Sequence, residues 1–218
     1  MVETKILSSR EEWLKARKSY IGGSEASCIV GMNPYRSNIE LWEEKTGRRE
    51  PEDISEKDFV KYGTLAEEHL RALFALDFPQ YEVFYTENNL WLNDKFPFGH
   101  ASLDGWLVEK ETGRKGILEI KTTNILQSMQ KEKWNHRIPD NYFIQCLHYL
   151  AITEFDFVCL RASLKYNYDG EIFLNIKHYT IEREEVQDDI DYLMEEERKF
   201  YSHIVNDTMP PLVLPDIP

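Results

Sequence analysis

The chain has 218 residues, 42% hydrophobic and 13% aromatic, a composition that excludes a disordered polymer and fits one domain with a substantial core. No run of about 18 apolar residues occurs, so no transmembrane helix is expected, and the opening Met-Val-Glu-Thr-Lys lacks the apolar core of a signal peptide. A net charge of −13 argues against general nucleic-acid binding, which basic residues drive. The excess acid is concentrated in Glu40–Asp58 and Glu182–Glu197, however. A confined basic groove on such a body remains open to a polyanion, and acidic outer walls would focus it there. Cys28, Cys146 and Cys159 lie apart in apolar contexts and read as core residues rather than disulfides or ligands. The expected compartment is cytosolic.

In chain order, Ser8 and Ser9 precede Glu11 and Glu12 with capping-box spacing and predict a helix to about Lys18, carrying Lys15, Arg17 and Lys18. Gly22-Gly23 allows a tight turn, with Ser24 as N-cap of a helix to about Gly31. A glycine turn into a helix N-terminus just after an arginine has the makings of an anion site, although on local grounds the ordinary cap is the favoured reading. Asn33-Pro34-Tyr35 reads as a turn, Ser37 with Glu40 caps a helix ending near Gly47, and 48–58 is a charged surface loop. Residues 59–76 carry helical periodicity. Gly63 and Glu67 share a face there, and of Glu67 and Glu68 one should face solvent. Three strands are expected at about 82–92, 98–108 and 115–122, with Asp104 inside the second. A helix over 124–135 would present Lys131 and Lys133, with Arg137 following, either as a solvated face or as DNA-backbone contacts. A buried helix follows at 140–153, N-capped by Asp140, in which Gln145 and Tyr149 need polar partners. Strands at 155–164 and 171–181 join through Asn167-Tyr-Asp-Gly. A long acidic helix covers 182–205, and the proline-rich tail reads as an extended arm on the body or on a neighbouring subunit.

The chemistry centres on Gly116-Ile117-Leu118-Glu119-Ile120-Lys121-Thr122. Strand alternation puts Glu119 and Lys121 on one side, where buried charges require a partner or a metal. By itself Glu-x-Lys is common on solvated sheet edges; the surroundings carry the assignment. With Asp104 upstream, two carboxylates can hold Mg²⁺, a hard ion that prefers oxygen ligands. The lysine can steady an attacking hydroxide or the charge of a phosphorane. Glu67 is a candidate further ligand.

Taken in order, Gly63-x-x-x-Glu67, Asp104, Glu119-x-Lys121 and Gln145-x-x-x-Tyr149 resemble the restriction-endonuclease-like PD-(D/E)xK nucleases. More narrowly, they resemble the lambda exonuclease and YqaJ-type viral recombinase branch, from about Arg17 to Tyr149. The resemblance implies an α/β fold with a restriction-endonuclease-like core, a mixed β-sheet flanked by helices. One domain over 1–218 would comprise N-terminal helices (1–58), the core (59–181) and a C-terminal helix with its arm (182–218). It implies Asp104, Glu119, Glu67 and the Ile120 carbonyl as metal ligands, Lys121 as the lysine assisting the attacking water, and Gln145 as the glutamine of the following helix. Arg17 and Ser24 match the residues that hold a 5′-terminal phosphate. Lys131, Lys133, Arg137 and Tyr149 are candidate DNA contacts. Leu103 stands where the family often has proline. The implied activity is a processive 5′→3′ double-strand DNA exonuclease using Mg²⁺ or Mn²⁺, with two ions. It would work at duplex ends as a homotrimeric ring, release mononucleotides and leave 3′ overhangs for a single-strand annealing protein, in the host cytoplasm if phage-encoded. The alternatives are an endonuclease of the same fold, an inactive nuclease-fold DNA-binding or scaffold module, and an acidic interaction protein. An iron–sulfur nuclease of this fold would need four cysteines.

Overall fold

The computed structural model describes residues 1–126 and 128–214, with Ser128 and Met129 described by backbone alone. In chain order the elements are β1 (Val2–Ile6), α1 (Arg10–Lys18), β2 (Ile21–Gly22), α2 (Gly23–Ile29), α3 (Asn38–Lys45), α4 (Asp58–Asp77), β3 (Tyr81–Phe84), β4 (Asn89–Asn93), β5 (Gly99–His100), β6 (Gly105–Glu109), β7 (Lys115–Ile125), α5 (Ser128–Glu132), α6 (Asp140–Thr153), β8 (Phe157–Tyr168), β9 (Glu171–Glu182) and, after a 3-10 turn at Arg183–Glu185, α7 (Gln187–Val205).

Five strands form a mixed sheet in the order β3-β6-β7-β8-β9. Only β7 and β8 run parallel; the other pairs are antiparallel. The parallel pair needs a crossover, and α6 supplies it. Alternation along β7 divides its apolar side chains between two cores. Ile117 joins the core built with α2, α6 and α7. Leu118 and Ile120 face Phe74 of α4 on the other side. The core is thus restriction-endonuclease-like, a mixed sheet with helices on both faces. Two small sheets lie beside it, β1 antiparallel to β4 and β2 parallel to β5.

Ser9 caps α1, and Ser37 with Glu40 forms the capping box of α3, as expected. Several boundaries differ from expectation. The N-cap of α2 is Gly22, with the Glu25 carboxylate accepting from the Gly22 N–H, and Ser24 is exposed in the first turn. Asp140 lies in the first turn of α6, whose N-cap is Pro139. The C-terminal helix begins at Gln187, not 182.

The expected strands 82–92 and 98–108 each divide into two, and the pieces join different sheets. The cause is Asn89, buried at 4% exposure. Its side-chain amide donates to the Leu103 carbonyl at 3.0 Å, and its Oδ1 accepts from the Leu103 N–H at 2.8 Å. One side chain thereby stands in for a strand partner, and the chain bends at Asp104, which is not inside a strand. The expected helix 124–135 shrinks to Ser128–Glu132, with residue 127 outside the described residues. The β-branched run Thr122, Thr123 and Ile125 instead extends β7 along β8 as far as Tyr166.

The β8–β9 turn falls at Asp169-Gly170, both left-handed at φ 50° and 84°, which suits a two-residue hairpin. All three cysteines are free and buried, as expected. The tail packs on the body through Asn38, whose side chain bonds the Pro211 carbonyl and the Val213 N–H at 2.8 and 3.0 Å. Residues 215–218 of the expected arm lie outside the described residues. No described helix is long and apolar enough to cross a membrane.

Two outcomes are expected. Asn89→Leu strands a buried donor and a buried acceptor at Leu103 and should lower stability in urea unfolding by roughly 2–5 kcal/mol. Glu40 is held down to about 2, first by the Ser37 backbone N–H and then by Arg49 and the Ser37 hydroxyl. Because the folded state depresses this pKa, its stabilisation is complete above the ordinary 4.5 and is lost as pH falls toward about 2. Glu40→Gln should flatten that limb of the stability–pH curve.

Candidate active site

β6 and β7 pair only as far as Gly105 opposite Leu118. Beyond that point β7 keeps β8 on one side and loses its partner on the other. The bare Ile120 N–H is taken by Asp104, whose Oδ2 accepts it at 2.9 Å. A strand residue points its N–H and C=O to the same edge, so the Ile120 carbonyl faces this opening too. Asp104 is held from behind by Arg71 of α4, which donates to the Asp104 carbonyl and stacks 3.7 Å from the Tyr85 ring centroid.

Glu119 is buried at 1% exposure. Its Oε1 accepts from Lys121 Nζ at 2.6 Å and from Gln145 Nε2 at 2.9 Å. Gln145 closes the ring: its Oε1 accepts from Lys121 Nζ at 3.0 Å, and its amide also donates to the Tyr149 hydroxyl at 3.0 Å. Lys121 further lies 4.8 Å from the Tyr142 ring centroid. Glu119 Oε2 is buried and has no hydrogen-bond partner, a costly state for a carboxylate oxygen unless a cation meets it.

Glu67 is partly buried on α4 while Glu68 is exposed, as the helix face requires. Burial and then the Asp104 charge push Glu67 up to about 7. Burial and Asp104 likewise push Glu119 up to about 8, and burial raises Asp104. Burial works against the charge on Lys121, but Glu119 and Asp104 outweigh it and hold the ammonium well above its usual range. Three acids resisting ionisation together signal unmet demand for positive charge. Among the described residues no three His, Cys, Asp or Glu side chains close into a metal cage; Glu119 is drawn onto Lys121 and Gln145 instead.

The glycine turn adjoins this centre. A Cβ on Gly23 would lie 2.5 Å from Tyr149 Cε1, and one on Gly22 would lie 2.8 Å from His100 Cε1. The pair is glycine because two rings press on it. Arg17 is near enough for its charge to act on Asp104. Its guanidinium carbon lies 4.1 Å from the Trp13 ring centroid, and its Nε donates to His100 Nε2 at 3.2 Å.

Residues 12–156 match the YqaJ-like viral recombinase domain. The chain belongs to this family. A curated relative, the uncharacterized protein YqaJ of Bacillus subtilis, is 33% identical over 144 residues, which are 66% of this chain and 42% of that protein; the chain therefore spans less than half of that relative's length. Among solved structures, the alkaline exonuclease LHK-Exo from Laribacter hongkongensis superposes with a TM-score of 0.64 at 19% identity, covering 90% of this chain and 93% of its own. A phage-related exonuclease from Haemophilus somnus 129PT gives 0.54 at 14%, covering 86% and 96%. At such identities the likeness is one of fold.

Within this YqaJ-like chain, Asp104, Glu119, Lys121 and Gln145 converge at the opened edge of β7. Tyr149 is buried at 6% exposure with its hydroxyl bonded to Gln145, so it is not a surface contact for DNA. Lys131 and Lys133 are exposed, and Arg137 is exposed beside Asp140 at 3.7 Å. Sequence reading missed Asn89, Arg71 and His100. The one available signal was a histidine and an asparagine within strand-like apolar runs, where each must find a polar partner.

Gly23→Ala should force the Tyr149 ring off its seat and lower stability by about 1–3 kcal/mol, measured by denaturant unfolding.

Proposed function

We propose that this chain is a divalent-cation-dependent 5′→3′ exonuclease on double-stranded DNA. The observation that carries the reading is the convergence of Asp104, Glu119, Lys121 and Gln145 at the open strand edge, with an orphaned Glu119 oxygen among them. Hard oxygen donors are what Mg²⁺ or Mn²⁺ takes. Asp104, Glu119, the Ile120 carbonyl and Glu67 would hold it, and a second ion would share these acids. Bound there, the cation supplies Lewis-acid polarisation of the scissile phosphate.

The remaining work falls to the chain's own groups. Lys121, fixed by Glu119 and Gln145, orients the attacking water and meets the charge that grows on the phosphate oxygens. Gln145 holds Lys121 and Glu119 in register. Arg17, with Ser24, takes the 5′-terminal phosphate, so that cleavage starts from that end. Exposed Lys131 and Lys133 and nearby Arg137 contact the duplex backbone. Products are mononucleotides and a 3′ overhang. As part of the same reading, the chain acts processively as a homotrimeric ring and hands its overhang to a single-strand annealing protein; the resemblance to the lambda-type enzymes supports these points.

The test is a time course on linear duplex carrying one 5′-phosphorylated end, with Mg²⁺ or with chelator. Digestion should require the ion and begin at the phosphorylated end, and closed circular DNA should survive; nicked circles would indicate an endonuclease. Asp104→Asn, Glu119→Gln and Lys121→Ala should each lower the rate by roughly a hundredfold or more, with folding checked by circular dichroism. A second reading, a nuclease-fold binding module, draws on the engagement of Glu119 by Lys121 and Gln145 in place of a closed cage. Calorimetry showing no uptake of Mg²⁺ or Mn²⁺ would favour it.

A further inference from the structure

His100 lies outside the acid centre, yet it is buried at 2% exposure with both ring nitrogens and its carbonyl engaged. Its Nδ1 faces the Ile21 carbonyl at 3.2 Å. A carbonyl only accepts, so Nδ1 carries the hydrogen and Nε2 is left as a lone-pair acceptor. That acceptor takes the Arg17 Nε–H at 3.2 Å. The His100 carbonyl accepts in turn from His148 Nε2 at 2.9 Å. His148 Nδ1 meets Glu197 Oε1 at 2.8 Å, both side chains being wholly buried. The His100 backbone is therefore braced from α6 and α7, and its ring edge rests on Gly22.

The effect on Arg17 is specific. One face of its guanidinium lies over Trp13, and its Nε is tied to His100. Among the described residues neither terminal nitrogen is given a protein partner, and those two nitrogens form the fork that grips a phosphate bidentately.

We propose that His100 is the positioning residue that aims the Arg17 fork at the end phosphate, and so sets the preference for phosphorylated ends. This rests on the reading above in which Arg17 holds that phosphate. A protonated imidazole could not accept from Arg17. Burial and the Arg17 charge keep His100 well below the usual histidine range, which maintains the neutral form the geometry needs.

The experiment uses the full chain and linear duplexes that differ only in a 5′-phosphate or a 5′-hydroxyl. Wild type should prefer the phosphorylated ends and Arg17→Ala should not. If wild type treats both alike, the end-phosphate reading falls and this proposal with it. His100→Leu removes the acceptor. It should raise KM for phosphorylated ends roughly tenfold, leaving kcat and KM on hydroxyl ends within about twofold. His100→Gln, which restores an acceptor oxygen near the Nε2 position, should recover most of the preference. In an Arg17→Ala background, His100→Leu should change discrimination no further. If Arg17→Ala loses the preference while His100→Leu keeps it, the phosphate reading stands and the role of His100 is overturned. An equal loss of kcat on both ends in His100→Leu overturns it as well. Should that variant fail to fold, nitrogen NMR of wild type decides: a neutral Nδ1–H tautomer supports the proposal, and an Nε2–H tautomer or an imidazolium overturns it.

Discussion

The site depends on one parted pair of strands. Up to Leu118, β7 is hydrogen-bonded on both sides; from Glu119 onward it is bonded only to β8. An unpaired N–H within a protein demands an acceptor, and Asp104 supplies it to Ile120. That bond ties the aspartate to the strand bearing Glu119 and Lys121. The parting itself is arranged by Asn89, which satisfies both backbone groups of Leu103 and so brings Asp104 to the edge as a bend rather than as another rung of the ladder.

α6 supplies the second constraint. Ten successive residues, Ile144–Thr153, are buried, so its polar side chains cannot turn to water. Gln145 and Tyr149 bond to each other and, through Gln145, to Glu119 and Lys121. His148, on the adjoining face, bonds Glu197 and the His100 carbonyl. A rotation of this helix would strand all three polar groups at once, so its register is fixed by the cost of leaving them unsatisfied. The glycine turn extends the same constraint to α1. It is clamped between Tyr149 and His100, so the Arg17 region and the acid centre share a scaffold.

The charge balance has a local and a global scale. The chain is acidic overall at −13, and the centre itself crowds Asp104, Glu119 and Glu67 until burial and mutual repulsion raise all three. The cations set against them are few and fixed: Lys121 between Glu119 and Gln145, Arg71 behind Asp104, and Arg17 on Trp13. On the proposed reading a bound cation would complete this balance, and the acidic exterior would direct a polyanion toward the centre.

Local signals determined a good part of this. The Ser9 N-cap, the capping box at Ser37–Glu40, the long periodicity of α4, the apolar wall of α6 and the β8–β9 turn were all legible because each is settled by near neighbours in the chain. The ordered run of Glu67, Asp104, Glu119, Lys121 and Gln145 was legible because such a set is rare in combination. What the sequence could not show was decided by partners far along the chain. Asn89 cut two expected strands by bonding Leu103; β8 drew residues 124–125 out of an expected helix and into β7. The glycine pair owes its identity to rings from β5 and α6. Propensity is a local energy of tenths of a kcal/mol to about 1 kcal/mol, and a buried unpaired polar group costs about 1–3 kcal/mol, so where the two conflict the tertiary contact prevails.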